Sequence, residues 1–242
     1  MMSNQDNQIS KGRASRSERR QLARQKQKRK QTTNTILIVV GAVILVGAMI
    51  YPQIKPITDL VIPPARQHPN ADFNAMGDPN APVVVIEYSD FQCSHCRDFW
   101  ADNEITLIEN FVASGDVYFI YRSFGDHDGQ APETGKLAEA AYCAGDQGKF
   151  WEMHDIQFAN FGQPYSIRRV KAMAKAVGLD MDQFEECFDS GKYTTQMKQD
   201  GVEALAAGIG GTPTFSVNGI QVIGNKIEEL QFQIGLALQG SP

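Results

Sequence analysis

Val83-Val84-Val85-Ile86-Glu87-Tyr88-Ser89-Asp90-Phe91-Gln92-Cys93-Ser94-His95-Cys96 is the stretch that decides the fold. Its first four residues form a continuous β-branched run, the pattern of a strand buried on both faces. Tyr88 to Gln92 reads as a loop. A helix is predicted from at or just after Cys93, running through Phe99, Trp100, Ile105, Leu107 and Phe111. Val117-Tyr118-Phe119-Ile120-Tyr121 reads as the next strand. Strand, helix and strand in this order imply a right-handed parallel crossover.

Beyond that unit the pattern turns helical, from Pro132 to about Ala207. Leu137, Ala141 and Tyr142 mark one helix, and Phe150, Met153, His154 and Phe158 a second. Val170, Met173 and Val177 mark a third that stops at Gly178, and Phe184, Cys187 and Phe188 a fourth. Two short apolar runs, Thr214–Val217 and Ile220–Ile223, flank Asn218-Gly219 and predict a hairpin. A last helix covers about Ile227 to Leu238. The fold class is therefore α/β, in the order β-α-β, helical insertion, β-β-α. No internal repeat is visible.

The N-terminal third differs in kind. Residues 1–34 hold ten Lys or Arg against Asp6 and Glu18, a net +8, which leaves −13 for the rest of a chain whose total is −5. This segment is Gln-rich and polar, and disorder is expected over 1–34. An uncharged apolar run follows from Ile36 to Tyr51, so 35–51 is assigned as a transmembrane segment. Its sixteen residues span roughly 24 Å as a helix, short for a hydrocarbon core of about 30 Å that thinning or snorkelling can match. A retained signal anchor is favoured over a cleaved signal peptide. The basic segment before the run is long, and only the weak Val46-Gly47-Ala48 resembles a cleavage site. The basic flank places the N-terminus in the cytoplasm and everything after Tyr51 outside. A basic tail followed by such a run is not read as a nucleic-acid-binding domain. Residues 52–80 contain six prolines and read as a stiff linker ahead of a folded domain at 81–242, with its helical insertion at about 132–207.

Cys93 and Cys96 carry the chemistry. A helix start offers unpaired N–H groups and the positive end of a dipole, which lower a thiol pKa. Cys93 sits at that end, and Cys96 lies one turn later, placed to close a ring or to resolve a mixed disulfide. His95 can add charge or a donor to the thiolate. Each effect favours the dithiol over the disulfide, which makes the disulfide an oxidant. A structural zinc site needs two further ligands; Cys143 and Cys187 form no second C-x-x-C, and His68, His127 and His154 lack metal spacing, so no metal is assigned. A structural short-loop disulfide is the other alternative. Gly211-Thr212-Pro213-Thr214-Phe215 places a proline directly before a strand, where either a cis or a trans bond fits.

Three separated motifs in this order resemble the DsbA-like thiol:disulfide oxidoreductases of the thioredoxin superfamily, in particular membrane-tethered bacterial forms. They are Ala81–Cys96, Tyr142-Cys143-Ala144-Gly145-Asp146-Gln147-Gly148-Lys149-Phe150-Trp151, and Gly211–Phe215, and the resemblance covers about Asp78 to Leu238. It implies a thioredoxin fold with a helical insertion. It implies a cis Pro213 packed against the dithiol, with Thr212 beside it, as the surface for an incoming cysteine peptide. It places Glu87 as a buried acid near Cys96, either accepting the resolving thiol's proton or satisfying a local hydrogen bond. It implies a structural disulfide between Cys143 and Cys187, the alternative being two buried free thiols. Ser94 stands where many relatives carry proline, a departure that bears on the redox potential. By the same resemblance the chain forms disulfides in reduced exported proteins and is reoxidised by a membrane oxidase of the DsbB or VKOR type. No bound cofactor is called for, because the dithiol carries the electrons. A reductase or isomerase on the same fold, a redox-inert peptide-binding or chaperone module, and metal delivery through Cys93, His95 and Cys96 are the competing readings.

Overall fold

In the computed structural model, which describes residues 15–125 and 131–240, the β-branched run becomes the centre of a five-stranded sheet. The strands are β1 (Ala75–Met76), β2 (Val83–Ser89), β3 (Val117–Ser123), β4 (Thr214–Val217) and β5 (Ile220–Ile223), in spatial order β1-β3-β2-β4-β5. β2 and β3 run parallel, with Glu87 opposite Tyr121, and the other pairs are antiparallel. The parallel pair is the crossover read from the sequence. Asn218 and Gly219, at φ 47° and 91°, close the β4–β5 hairpin in the left-handed conformation that its two-residue turn requires.

The strand periodicity places the site. Val83, Val85, Glu87 and Ser89 share the face of β2 turned to the main core, and Val117, Phe119, Tyr121 and Ser123 share that face of β3. The opposite face of β2 is covered less completely. Val84 and Ile86 stay half-buried, and Ile86 packs on a small cluster of Tyr88, Phe124, Ala204 and Ile209. Burial of β2 on both faces is therefore only partial.

The helices are α1 (Arg16–Ile54), α2 (Ser94–Asp102), α3 (Glu104–Leu107), α4 (Pro132–Gly145), α5 (Phe150–Ala159), α6 (Ile167–Ala176), α7 (Met181–Ser190), α8 (Thr194–Ala206) and α9 (Ile227–Gly240). The helix expected from Cys93 to Phe111 is broken. Asn103 leaves helical geometry at φ −126° between α2 and α3, its side chain donates to Asn225 O at 2.8 Å, and residues 108–112 form a π-helical turn. α4 to α8 make up the insertion. α8 escapes an apolar reading because it buries only Met197, Asp200, Gly201 and Ala204. Cys143 and Cys187 are joined by a disulfide that ties α4 to α7, with Cα atoms 5.8 Å apart.

Two boundaries differ from the sequence expectation. Residues 16–34 are helical, not disordered, and residues 1–14 lie outside the described residues. Ser15 and Glu18 form a reciprocal capping box, and no Gly or Pro lies between Ser15 and Gly41. Polarity excludes burial of this segment; its Arg, Lys, Gln and Glu are good helix formers all the same. α1 carries an exposed apolar stretch with a mean hydropathy of 2.4, long and apolar enough to cross a membrane.

The second boundary is the linker. The compact unit that holds the sheet begins at Ile57, not 81. Asn160 clasps Val61, accepting from its N–H at 3.0 Å and donating to its carbonyl at 2.8 Å. Arg169 pairs with Asp59, Arg66 donates to Trp100 O at 2.7 Å, and Trp151 donates to Ala75 O at 3.1 Å. The prolines prevent regular structure but leave the backbone between them open to side-chain capture.

The Cys143–Cys187 bond spans 44 residues of insertion. Replacing both cysteines with alanine is expected to lower unfolding free energy by about 2–4 kcal/mol, read as an earlier urea midpoint against the unreduced wild type.

Candidate functional site

The dithiol sits where β2 gives way to α2. The chain turns at Asp90, whose carbonyl accepts from Cys93 N at 3.0 Å and whose side chain accepts from Gln92 N at 2.7 Å. Cys93 is the N-cap of α2, with extended backbone at φ −85° and ψ 123°. Its sulfur thus takes the position of a capping oxygen and accepts from Cys96 N at 3.4 Å. The same sulfur lies 3.4 Å from Thr212 O, to which the thiol form donates. The Thr212–Pro213 peptide is cis, and Pro213 is buried immediately before β4.

Both thiols are free, and their environments differ sharply. Cys93 is half-buried, whereas Cys96 is fully buried on the core side of α2. The Cys93 thiol pKa falls to about 5. The hydrogen bond from the Cys96 thiol is the largest cause; the Thr212 side chain and the backbone N–H groups of Cys96 and His95 add to it and together outweigh burial. At pH 7 the thiolate therefore exceeds the thiol roughly a hundredfold. Cys96 moves the other way, pushed far up, first by burial, then by its bond to Cys93 and the nearby charge of Glu87.

Glu87 is buried on the core face of β2, and its Oε2 has no hydrogen-bond partner among the described residues. Burial raises its pKa to about 8, against the lowering effect of Ser89. An acid that titrates near neutrality beside a buried thiol can exchange a proton with it.

Cys93, Cys96, Thr212, Pro213 and Glu87 thus converge on one locus. Ser94 and His95 lie in the first turn of α2 but are exposed, and His95 reaches Cys93 through its backbone N–H. The side-chain donation expected of His95 is replaced by a main-chain one. Cys143 and Cys187 belong to the insertion. Ser89 and Tyr121 are site residues that sequence reading passed over. Ser89 is buried on the same face of β2 as Glu87 and lowers the pKa of both Glu87 and Cys96, and Tyr121 stands opposite Glu87 across the β2–β3 register. The two-residue spacing from Glu87 to Ser89 was the available signal.

The sequence profile of the thioredoxin family, described as "Thioredoxin", matches residues 71–235, which hold the whole sheet and every residue of this locus. The chain belongs to the thioredoxin family. Similar solved structures with the same fold include BdbD from Bacillus subtilis in its oxidised form, with a TM-score of 0.62 and 22% identity over 76% of this chain and 100% of that one. α-DsbA1 from Wolbachia pipientis gives 0.62 and 21%, over 74% and 94%. A thioredoxin-like oxidoreductase from Silicibacter pomeroyi gives 0.59 and 26%, over 73% and 99%. This thioredoxin-family chain is also 33% identical, over 190 residues, to a Na(+)/H(+) antiporter NhaA 1 of Salinispora arenicola, covering 76% of its own length and 27% of the relative's. It is 35% identical over 167 residues to NhaA 3 of Salinispora tropica. The chain spans about a quarter of the length of these curated relatives.

Alkylation of the reduced protein by iodoacetamide is expected to modify Cys93 with a midpoint at about pH 5 and to spare Cys96. A midpoint near 8.5, that of an ordinary thiol, would refute the thiolate assignment. Glu87 gives a second test. The folded protein keeps this proton up to about pH 8, whereas an unfolded chain releases it near 4.5. The folded state binds more protons across that window, so the stability Glu87 contributes at low pH is lost as pH rises through it. In urea melts of the reduced form, Glu87→Gln should gain on wild type by a few kcal/mol between pH 4 and pH 8, at about 1.4 kcal/mol per unit.

Proposed function

We propose that this chain is a thiol:disulfide oxidoreductase that introduces disulfide bonds into exported proteins through Cys93 and Cys96. The observation that carries this is the opposed state of the two sulfurs: an accessible thiolate at a helix start and a buried thiol behind it. Stabilising the Cys93 thiolate stabilises the reduced form, and a disulfide with a stabilised reduced form takes electrons from its partners.

A substrate thiolate attacks Cys93 Sγ of the oxidised protein, the Cys93–Cys96 bond breaks, and its electron pair goes to Cys96, which takes up a proton. A second substrate thiolate then attacks the substrate sulfur of the mixed disulfide, and Cys93 leaves as a thiolate. The substrate gains a disulfide and the protein gains two electrons. Thr212 and Pro213 line the approach to Cys93, and the Thr212 carbonyl beside the sulfur supports their role in holding the substrate peptide. A membrane oxidase of the DsbB or VKOR class, itself carrying a reactive disulfide, restores the starting state.

α1 serves as a signal anchor, with its basic end cytoplasmic and the thioredoxin unit outside. The antiporters in the comparison are membrane proteins by name, and the shared quarter of their length supports an oxidoreductase unit held at a membrane in both settings. Nothing in the dithiol locus calls for ion transport.

Oxidised protein should accelerate the oxidative refolding of a reduced, disulfide-dependent protein, and Cys93→Ser and Cys96→Ser should abolish the effect. No acceleration over buffer would sink the oxidase assignment. A dithiol potential near the value of about −270 mV for thioredoxin would instead make it a reductase. Protease added to intact cells should digest the domain while residues 1–34 stay protected; the reverse pattern would invert the proposed topology.

A further inference from the structure

Behind Cys96 the core holds a row of ionisable side chains that disulfide exchange at Cys93 does not use. Glu104 opens α3, and His154 and Asp155 lie on α5; all three are buried. Buried polar groups are normally hydrogen-bonded. Yet both Glu104 carboxyl oxygens and His154 Nε2 have no hydrogen-bond partner among the described residues. Glu104 Oε2 is 4.0 Å from His154 Nε2, His154 Nδ1 is 3.2 Å from Asp155 Oδ1, and Asp155 Oδ2 is 3.2 Å from His68 Nε2. His68 lines a surface cleft of about 270 Å³ with Arg66, Pro63 and Pro64.

The other end of the row meets the dithiol. Tyr121 stands beside Glu87 across the strand pair, and its ring centroid is 5.5 Å from that of His154. Glu87 Oε2 and Tyr121 OH, like the Glu104 oxygens, have no hydrogen-bond partner among the described residues. The charge of Glu87 acts on Cys96, Tyr121 and Glu104, and Arg66 acts on Glu104 and His154 from the segment before β1.

A metal centre suits this arrangement poorly. One ligand atom from each of Glu104, His154 and Asp155 lies within 4.8 Å of the others. However, His154 presents opposite ring nitrogens to the two carboxyls. Asp155 is already occupied, by Trp100 Nε1 at 2.8 Å, by His154 and by His68. Metal ligands converge on a point; an imidazole between two carboxyls lies in a line.

The geometry points to Glu104, His154, Asp155 and His68 as a proton path joining Glu87 and Cys96 to solvent at the rear cleft. It rests on the function proposed above and explains a need of that reaction. A substrate joined to Cys93 covers the front of the site just when buried Cys96 must gain or lose a proton. In the reduced form, with both thiols free as here, His154 Nδ1–H donates to Asp155, which its neighbours hold ionised against burial, and Nε2 is left to accept. During reoxidation each proton moves one place, relayed by a water where the gap exceeds a hydrogen bond, as between Glu104 and His154 at 4.0 Å: Cys96 Sγ–H to Glu87, the Glu87 proton to Glu104, the Glu104 proton to His154 Nε2, and the Nδ1 proton through Asp155 to His68. The Cys96 thiolate attacks Cys93 Sγ of the mixed disulfide, the protein disulfide forms, and the partner departs as a thiolate. His154 then carries its proton on Nε2, the tautomer from which the reverse passage delivers one to Cys96 in the next turnover.

The test uses full-length protein in detergent. Reduced protein is mixed with a disulfide-linked peptide dimer, and decay of the Cys93–peptide mixed disulfide is followed by acid quench and mass spectrometry. Between pH 6 and 7, His68→Ala should slow that decay about tenfold or more. Added imidazole, which can enter the cleft, should restore it. Glu104→Gln should slow it as well, beyond the reach of imidazole. Both variants should keep the wild-type pH profile of Cys93 alkylation, which a general structural defect would shift. Wild-type decay in both variants, or a His68→Ala defect that imidazole does not lift, would overturn the path and leave the oxidoreductase function standing. A wild-type protein that forms no mixed disulfide would overturn that function instead.

Discussion

Cys93 Sγ occupies the position at the start of α2 that an N-cap oxygen holds in other helices, and this one placement sets the character of the site. The cap donors are main-chain N–H groups, so they exist wherever β2 and α2 exist, whatever side chains stand at Ser94 and His95. One helical turn carries Cys96 from the rim into the core. The two sulfurs of one short motif therefore occupy opposite dielectric settings, and the same turn that lowers one thiol pKa raises the other.

That separation creates a requirement for the rest of the domain. A sulfur in the core changes protonation state in every exchange, and a buried charge without relief is costly. The period of β2 answers the first part of this requirement. It puts Glu87 on the core face, two residues before Ser89 and next to Tyr121. The Pro-rich segment contributes at the rear. Packed on the domain through Asp59, Val61 and Arg66, it brings His68 against Asp155. It acts as the outer wall of the buried polar row, a role that a free spacer could not have.

Much of this was legible in the sequence, and the exceptions share a physical origin. β2, β3 and the hairpin follow from β-branched runs and Asn218-Gly219, and Cys93 and Cys96 declare themselves by spacing at a strand-to-helix junction. Side chains whose roles depend on distant partners stayed hidden. Glu104 and His154 sit 50 residues apart in ordinary helical text, and only packing of α3 on α5 faces them toward each other. The linker was misread because proline density reports what a backbone cannot form, not what it can lie against. Residues 16–34 were misread for the converse reason. Low hydrophobicity forbids a core, but a capped run of good helix formers leading into an apolar stretch has no need of one.

The departure at Ser94 bears on how finely the site is tuned. A proline there would have fixed the backbone of the first helical turn, and with it the aim of the cap donors. With serine, the geometry rests on contacts from outside the turn. These are the Asp90 carbonyl holding Cys93 N, the Thr212 side chain lowering the thiol pKa, and buried Phe99 and Trp100 anchoring α2 from beneath. All three kinds of contact survive a change of residue at position 94. The thiolate's stability is thus a property of the junction between β2, α2 and the Thr212–Pro213 turn, and position 94 adjusts a bias that those elements have already set.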